Sequence, residues 1–296
     1  MRRRPALLLV ALAVVMMAAT PRPASAWSFD VHKFIMARAI LLLPTEIRPF
    51  FQKYETSIVE HAVDPDLWRT AGWLEEPPRH FVDMDAYGPY PFKDLPRDYD
   101  DAVKRYGRDF VLKNGTLPWR TEEIYTKLVE AFQQKTPYAR DNIRFFSSVV
   151  AHYTADAHVP FHASLNYDGQ LTGQWGIHSR FEGELFDRYR SSLTISPHPP
   201  ALLTTRSRDF IFDSLVASFS FVQPVLDADK AAAAGRDFYD DAYFTMFFAR
   251  AKPILEKRLS DSIADAASII TSAWVEAGRP PVPVNVTPAP RKIRRQ

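Results

Sequence analysis

The sequence contains no cysteine. No disulfide can staple the fold, so stability must come from a hydrophobic core or from bound metal ions. The alternating apolar–polar pattern of half-buried strands is nearly absent, and no internal repeat is visible. Two ends of the chain lack acids altogether: residues 1–26 and 279–296 carry arginine and lysine but no aspartate or glutamate. Setting them aside turns a formal charge of +2 into 28 basic residues against 35 acidic ones. Nothing in such an acidic body suggests a broad basic surface for duplex nucleic acid. There is no HExxH helix of a zinc peptidase and no nucleophile elbow of a serine hydrolase.

The N-terminus has the order of a secretory signal peptide. Arg2, Arg3 and Arg4 precede an apolar run from Ala6 to Ala19. Pro-Arg-Pro follows, and then the small-residue pattern Ala24-Ser25-Ala26. The run is short for a bilayer span, which needs roughly 20 residues. Cleavage is predicted after Ala26, with export to the periplasm or the extracellular space. No other segment reads as long and apolar enough to cross a membrane.

With 46% hydrophobic residues, the remaining chain can build a sizeable core, and its periodicity is helical. The pattern predicts a first helix stopping at Pro44 and a short second one over 45–60. Further helices are expected from Thr121, as N-cap, to Gln134, and over 141–158 with Asp141 as cap. Others follow over 176–189, 207–227, 231–248 and 253–277. The Pro-, Asp- and Tyr-rich stretch 83–100 is expected to be a long surface loop. The fold class is therefore all-α, a single multi-helix domain over 27–278. Residues 279–296 are Pro-rich and basic, with little to bury, and read as a disordered tail.

The chain has eight histidines, and three of them lie within HYTADAHVPFH, residues 152–162. His152 and Asp156 are four apart and share a helix face. Pro160 should end or kink that helix and swing His162 toward the same cavity. A second i, i+4 pair, His178 and Glu182, stands in GIHSRFE. Imidazole and carboxylate together suit zinc. Each pair alone is more often an ordinary hydrogen-bonded pair. The wider order of residues changes that. Cleavage makes Trp27 the N-terminus; His32 follows five residues later. Asp64, Asp66 and Arg69 stand in DPDLWR, and His80 stands in RHFVD.

This ordered set, from Trp27 to Glu182, resembles the superfamily that unites zinc-dependent phospholipases C with zinc-dependent single-strand-specific nucleases. The resemblance implies a domain of that type with three zinc ions. Asp66, His80, His152 and Asp156 would hold the first. His162, His178 and Glu182 would hold the second. The Trp27 amine and carbonyl, His32 and a shared oxygen of Asp156 would hold the third. It further implies Asp66 as ligand and general base, and Arg69 on the phosphate. Asp64 is the alternative to Asp66. Phosphodiesters resist neutral nucleophiles, and zinc lowers the pKa of water from about 15.7 toward roughly 7.

Phe81, directly after His80, is a candidate substrate-stacking residue, with an ordinary core role as the alternative. His61, His158 and His198 match no ligand position. The substrate is expected to be phospholipid or single-stranded nucleic acid, with no stable protein partner and a monomeric chain. GIHSRFE, His162-Ala163, the short step from His162 to His178 and the lack of cysteine look like the phospholipases. The step from Trp27 to His32 and Asp66-x-x-Arg69 look like the nucleases. Leu67 stands where choline-selective phospholipases carry tyrosine, so choline selectivity is not expected. A non-catalytic protein that keeps the zinc scaffold is the further alternative.

Overall fold

The computed structural model describes residues 27–136 and 138–282. The expected signal peptide and all but the first residues of the tail lie outside this range. Among the described residues there is no strand, and the fold is all-α.

Helix α1 (Phe29–Leu42) ends before Pro44, as the periodicity predicts. The stretch 45–60 forms two short helices, α2 (Arg48–Lys53) and α3 (Glu55–Glu60), divided at Tyr54. Helix α4 (Asp64–Thr70) carries the DPDLWR motif, with Pro65 in its first turn. The stretch 83–100 lacks long helices but is not a loose surface loop. Met84, Tyr87, Phe92 and Leu95 are buried, and α5 (Tyr99–Tyr106) begins within it. Asp98 caps α5 by accepting from the Asp100 and Asp101 amides. Helix α6 (Arg108–Lys113) follows.

Helix α7 (Leu117–Gln133) starts four residues ahead of the expected cap. Pro118 is preset for a first turn, and Thr121 bonds back to the Leu117 carbonyl from inside the helix (2.8 Å). Asp141 likewise lies inside the first turn of α8 (Ala139–Asp156) and pairs with Arg144 (2.6 Å) rather than capping. Helix α8 ends at Asp156, and Val159 is extended ahead of Pro160. Helix α9 (Ile177–Ser179) runs through a π-turn (Arg180–Glu184) into α10 (Leu185–Tyr189).

Helices α11 (Ser207–Phe219) and α12 (Val222–Ala233) lie in the one described stretch, 207–233, with the length and hydropathy of a membrane span. It is interrupted at Ser220, and its Ile211, Phe212, Leu215 and Val225 are buried in the core. Helix α13 (Asp241–Glu276) is continuous. The expected division before Pro253 is displaced to Gly235, which adopts φ 71°. Pro253 removes one backbone donor, but twenty buried side chains along α13 outweigh that loss. Helix α13 is the spine of the fold and packs against α1, α7, α8 and α12. One hydrophobic cluster links Trp27 at one end of the chain to Trp274 at the other.

Candidate metal centre

The last two turns of α8 supply His152 and Asp156, both fully buried. Their i, i+4 spacing aims both at the chain segments that precede α4 and follow it. His152 Nδ1 is bonded to the Ala62 carbonyl (2.8 Å), which leaves Nε2 facing inward. Nε2 lies 3.3 Å from Asp156 Oδ2 and 3.2 Å from His80 Nδ1. His80 closes the 3-10 turn Pro77–His80, and its Nδ1 is 2.9 Å from Asp156 Oδ2. His32, one turn into α1, stacks on the His152 ring with centroids 3.9 Å apart. Its Nε2 is 3.4 Å from Asp156 Oδ1. His162, carried past the break at Pro160, places Nδ1 3.8 Å from the same oxygen.

Asp156 thus has four imidazoles around it, His80 and His152 at one oxygen and His32 and His162 at the other. Three groups of buried side chains can each hold a metal ion. They are Asp66, His80 and His152; His32, His152 and Asp156; and His162, His178 and Glu182. His152 falls in two of them, but with Nδ1 on a carbonyl it has one nitrogen to give. Asp156 by contrast has two oxygens, Oδ2 beside His80 and Oδ1 beside His32.

The structure brings Asp66, rather than Asp64, to the cluster. Asp64 pairs with His61 on the half-exposed outer side (2.8 Å). Asp66 is fully buried, and its Oδ1 accepts from Arg69 (3.0 Å). Trp27 is fully buried, and its indole N–H donates to the carbonyl of Ala155, the neighbour of Asp156 (2.9 Å). His158 faces away, against Arg258 and Asp265 of α13. His198 is exposed, 3.7 Å from Asp265.

The donor set fits metal ions. The inward atoms of Asp66, Asp156, His32, His162, His178 and Glu182 are buried without hydrogen-bond partners. Buried polar atoms normally have partners, so orphans concentrated at one point mark a place for cations. The electrostatics agree. Burial holds His178 down to about 4 and keeps His32 and His162 below the usual imidazole range. All three are therefore neutral, as ligands must be. Burial, with Asp156 and Asp66 nearby, pushes Glu182 well above the usual carboxylate range. Burial opposes charge on His80 too, yet its bonds to Asp156 and Glu76 raise it to about 9.

Sequence reasoning missed Glu76. It is fully buried and accepts from Tyr153 and from Arg79 (2.8 Å), and it lies 3.6 Å behind His80 at Nε2. Its spacing of four from His80 was a usable signal, masked by Pro77 and Pro78 between them. Asp83 was also missed. Its buried Oδ1 has no hydrogen-bond partner, and burial followed by the charge of Asp85 raises it to about 7.

A cavity of about 660 Å³ opens beside the cluster. Arg69, His80, His162 and His178 line its floor, and Phe81, Asp83, Lys113, Asn114, Phe161 and Leu171 are among its walls.

Fold and site together define an all-α protein with three buried groups of potential metal ligands. No family model matches the chain, and neither does any curated protein.

Proposed function

We propose that the protein is an exported zinc-dependent hydrolase of phosphodiesters, of phospholipase C type. The observation that carries this reading is that His80 of one buried ligand group and His162 and His178 of another line a single cavity that also presents Arg69. Bound in those groups, zinc supplies a nucleophile from water at neutral pH and neutralises charge on phosphoryl oxygens. Asp66, His80, His152 and Asp156 are the proposed ligands of the first ion, His162, His178 and Glu182 of the second. Trp27, His32 and Asp156 are those of the third.

Arg69 donates to Asp66 Oδ1 (3.0 Å), which leaves Oδ2 as the atom to ligate or to take a proton. Arg69 also lines the cavity, where its guanidinium can face an anionic ester. The walls Phe81, Phe161, Leu165 and Leu171 are apolar, which suits the hydrophobic part of a lipid ester.

A second reading has its own support. Phe81 offers a ring face, and Asp83 and Asn114 offer a polar edge in the same cavity. That combination suits a nucleobase, and with it a single-strand-specific endonuclease. A non-catalytic zinc scaffold is the third reading.

A paired assay separates them. The zinc-loaded chain beginning at Trp27 is given single-stranded DNA or RNA in one tube and mixed phospholipid micelles in the other, each with and without chelator. Chelator-sensitive release of a phosphorylated head group is expected. Release of nucleotides instead selects the nuclease reading. Silence in both tubes rejects the hydrolase of either substrate.

A further inference from the structure

In the His162–His178–Glu182 group, His178 and Glu182 are both carried by the segment that runs from α9 into the π-turn. His152 is fixed by a carbonyl and His80 is backed by Glu76. His178 Nε2 lies 3.0 Å from Glu182 Oε2, and His162 Nδ1 is buried without a hydrogen-bond partner. What lies between His178 and Glu182 in sequence is Arg180, which is 4% exposed although it carries a full charge.

Arg180 is bonded in every direction. Nε donates to the Tyr243 hydroxyl (2.9 Å) and one terminal nitrogen to the Trp175 carbonyl (2.7 Å). The other reaches Asp229 (2.9 Å) and the Gln174 carbonyl (3.3 Å). Asp229 also accepts from the Gln174 amide (2.6 Å) and from Tyr243. The guanidinium lies 3.9 Å over the Tyr239 ring. Gly176 makes the approach feasible. It takes φ +80°, and a Cβ there would stand 3.0 Å from the guanidinium. One side chain thus fastens the loop before α9, the turn carrying His178 and Glu182, α12 and α13. The π-turn starts at Arg180 and contains Glu182.

We propose that Arg180, through Asp229 and Tyr243, is the positioning residue of the His162–His178–Glu182 metal group and sets its affinity independently of the other two groups. The inference rests on the metal reading above. A buried ion pair whose three nitrogens are all hydrogen-bonded rigidifies what it joins. Supporting residues of this kind typically change metal affinity by about 10–100-fold.

The test is competition of zinc between the protein and a chromophoric chelator, with helix content followed by far-UV circular dichroism. The wild-type chain, E182Q, R180M, R180K, Y243F and the double variant R180M/E182Q are compared. One of three equivalents should weaken about 10–100-fold in R180M, with helix content unchanged. It should be the equivalent that E182Q weakens, and the double variant should be no weaker there than E182Q. R180K should recover part of the loss, and Y243F should show a smaller loss at that equivalent alone. Wild-type affinities in R180M overturn the inference, as does weakening spread over all three equivalents. If R180M loses its helices, wild-type affinities in Y243F overturn it. If the wild-type chain has no equivalent sensitive to E182Q, the metal reading itself fails and takes the inference with it.

Discussion

Glu76 Oε1 lies 3.6 Å from His80 Nε2, on the far side of the ring from Asp156, whose Oδ2 is 2.9 Å from Nδ1. The imidazole is held between two carboxylates, one behind it and one at the metal position. A carboxylate behind a histidine fixes its orientation and raises its basicity as a ligand.

Glu76→Gln should therefore weaken zinc at the Asp66–His80–His152 group by about 10–100-fold. It should also destabilise the fold by an amount on the order of 2–4 kcal/mol, because Arg79 and Tyr153 lose a charged acceptor. Burial opposes the Glu76 charge, but bonds from His80, Tyr153 and Arg79 outweigh it and hold the carboxyl down to about 2. A depressed carboxyl gives stability that is present above its unfolded value, near 4.5, and lost as pH falls toward 2. Urea unfolding should find the gap between wild type and variant constant above about pH 5 and narrowing below it. A gap that widens in acid contradicts this role.

Asp83 should behave in the opposite sense. Its folded value is raised from 3.8 to about 7, first by burial and then by Asp85. The cost of ionising it in the fold appears as pH rises from about 4 through 7 and is full above that. Asp83→Asn should gain stability relative to wild type at pH 8 but not at pH 4, on the order of 2–4 kcal/mol. Equal gains at both values in denaturant titrations would show that the carboxyl is not strained by burial.

Metal uptake should release protons. His80 is raised to about 9, and Glu182 is pushed well above its ordinary value. Zinc must displace what these groups hold. Affinity should rise with pH through neutrality and level off above about pH 9. Calorimetry in buffers of different ionisation enthalpy should report at least one proton released per chain. Zinc binding without any release would rule out these two side chains as ligands.

The potential ligands were legible in the sequence to different degrees. His152 with Asp156 and His178 with Glu182 announce themselves because i and i+4 share a helix face, and the structure keeps both pairs together. Spacing favours Asp66 over Asp64 through the step to His80 and the arginine three residues on, and the burial of Asp66 and the pairing of Asp64 with His61 agree. Arg180 was read only as a letter inside GIHSRFE, since its partners Asp229 and Tyr243 lie 49 and 63 residues away. Asp83 was invisible because the burial that raises its carboxyl leaves no mark in local spacing. Pro253 misled because local propensity favours a break, while the packing of α13 favours continuity. The all-α class followed from periodicity alone.

The N-terminus supplies a further prediction. Trp27 is fixed next to Asp156 through its bond to Ala155, but an amine can ligate only when free. Its unperturbed pKa near 8 makes that accessible beside zinc. A chain beginning at Trp27 should take up three zinc ions, and one that retains residues 1–26 should take up two. Equal metal content and equal activity in both would remove Trp27 from the ligand set.

The most direct measurement is a crystal structure of the zinc-loaded chain beginning at Trp27, with anomalous maps on both sides of the zinc edge. The account predicts three anomalous peaks, one in each buried group, with Asp156 touching two of them and ligand distances of roughly 2.0–2.2 Å. An ordered cluster with no peak among these side chains, or with a lone ion and His178 and Glu182 left bare, would contradict it.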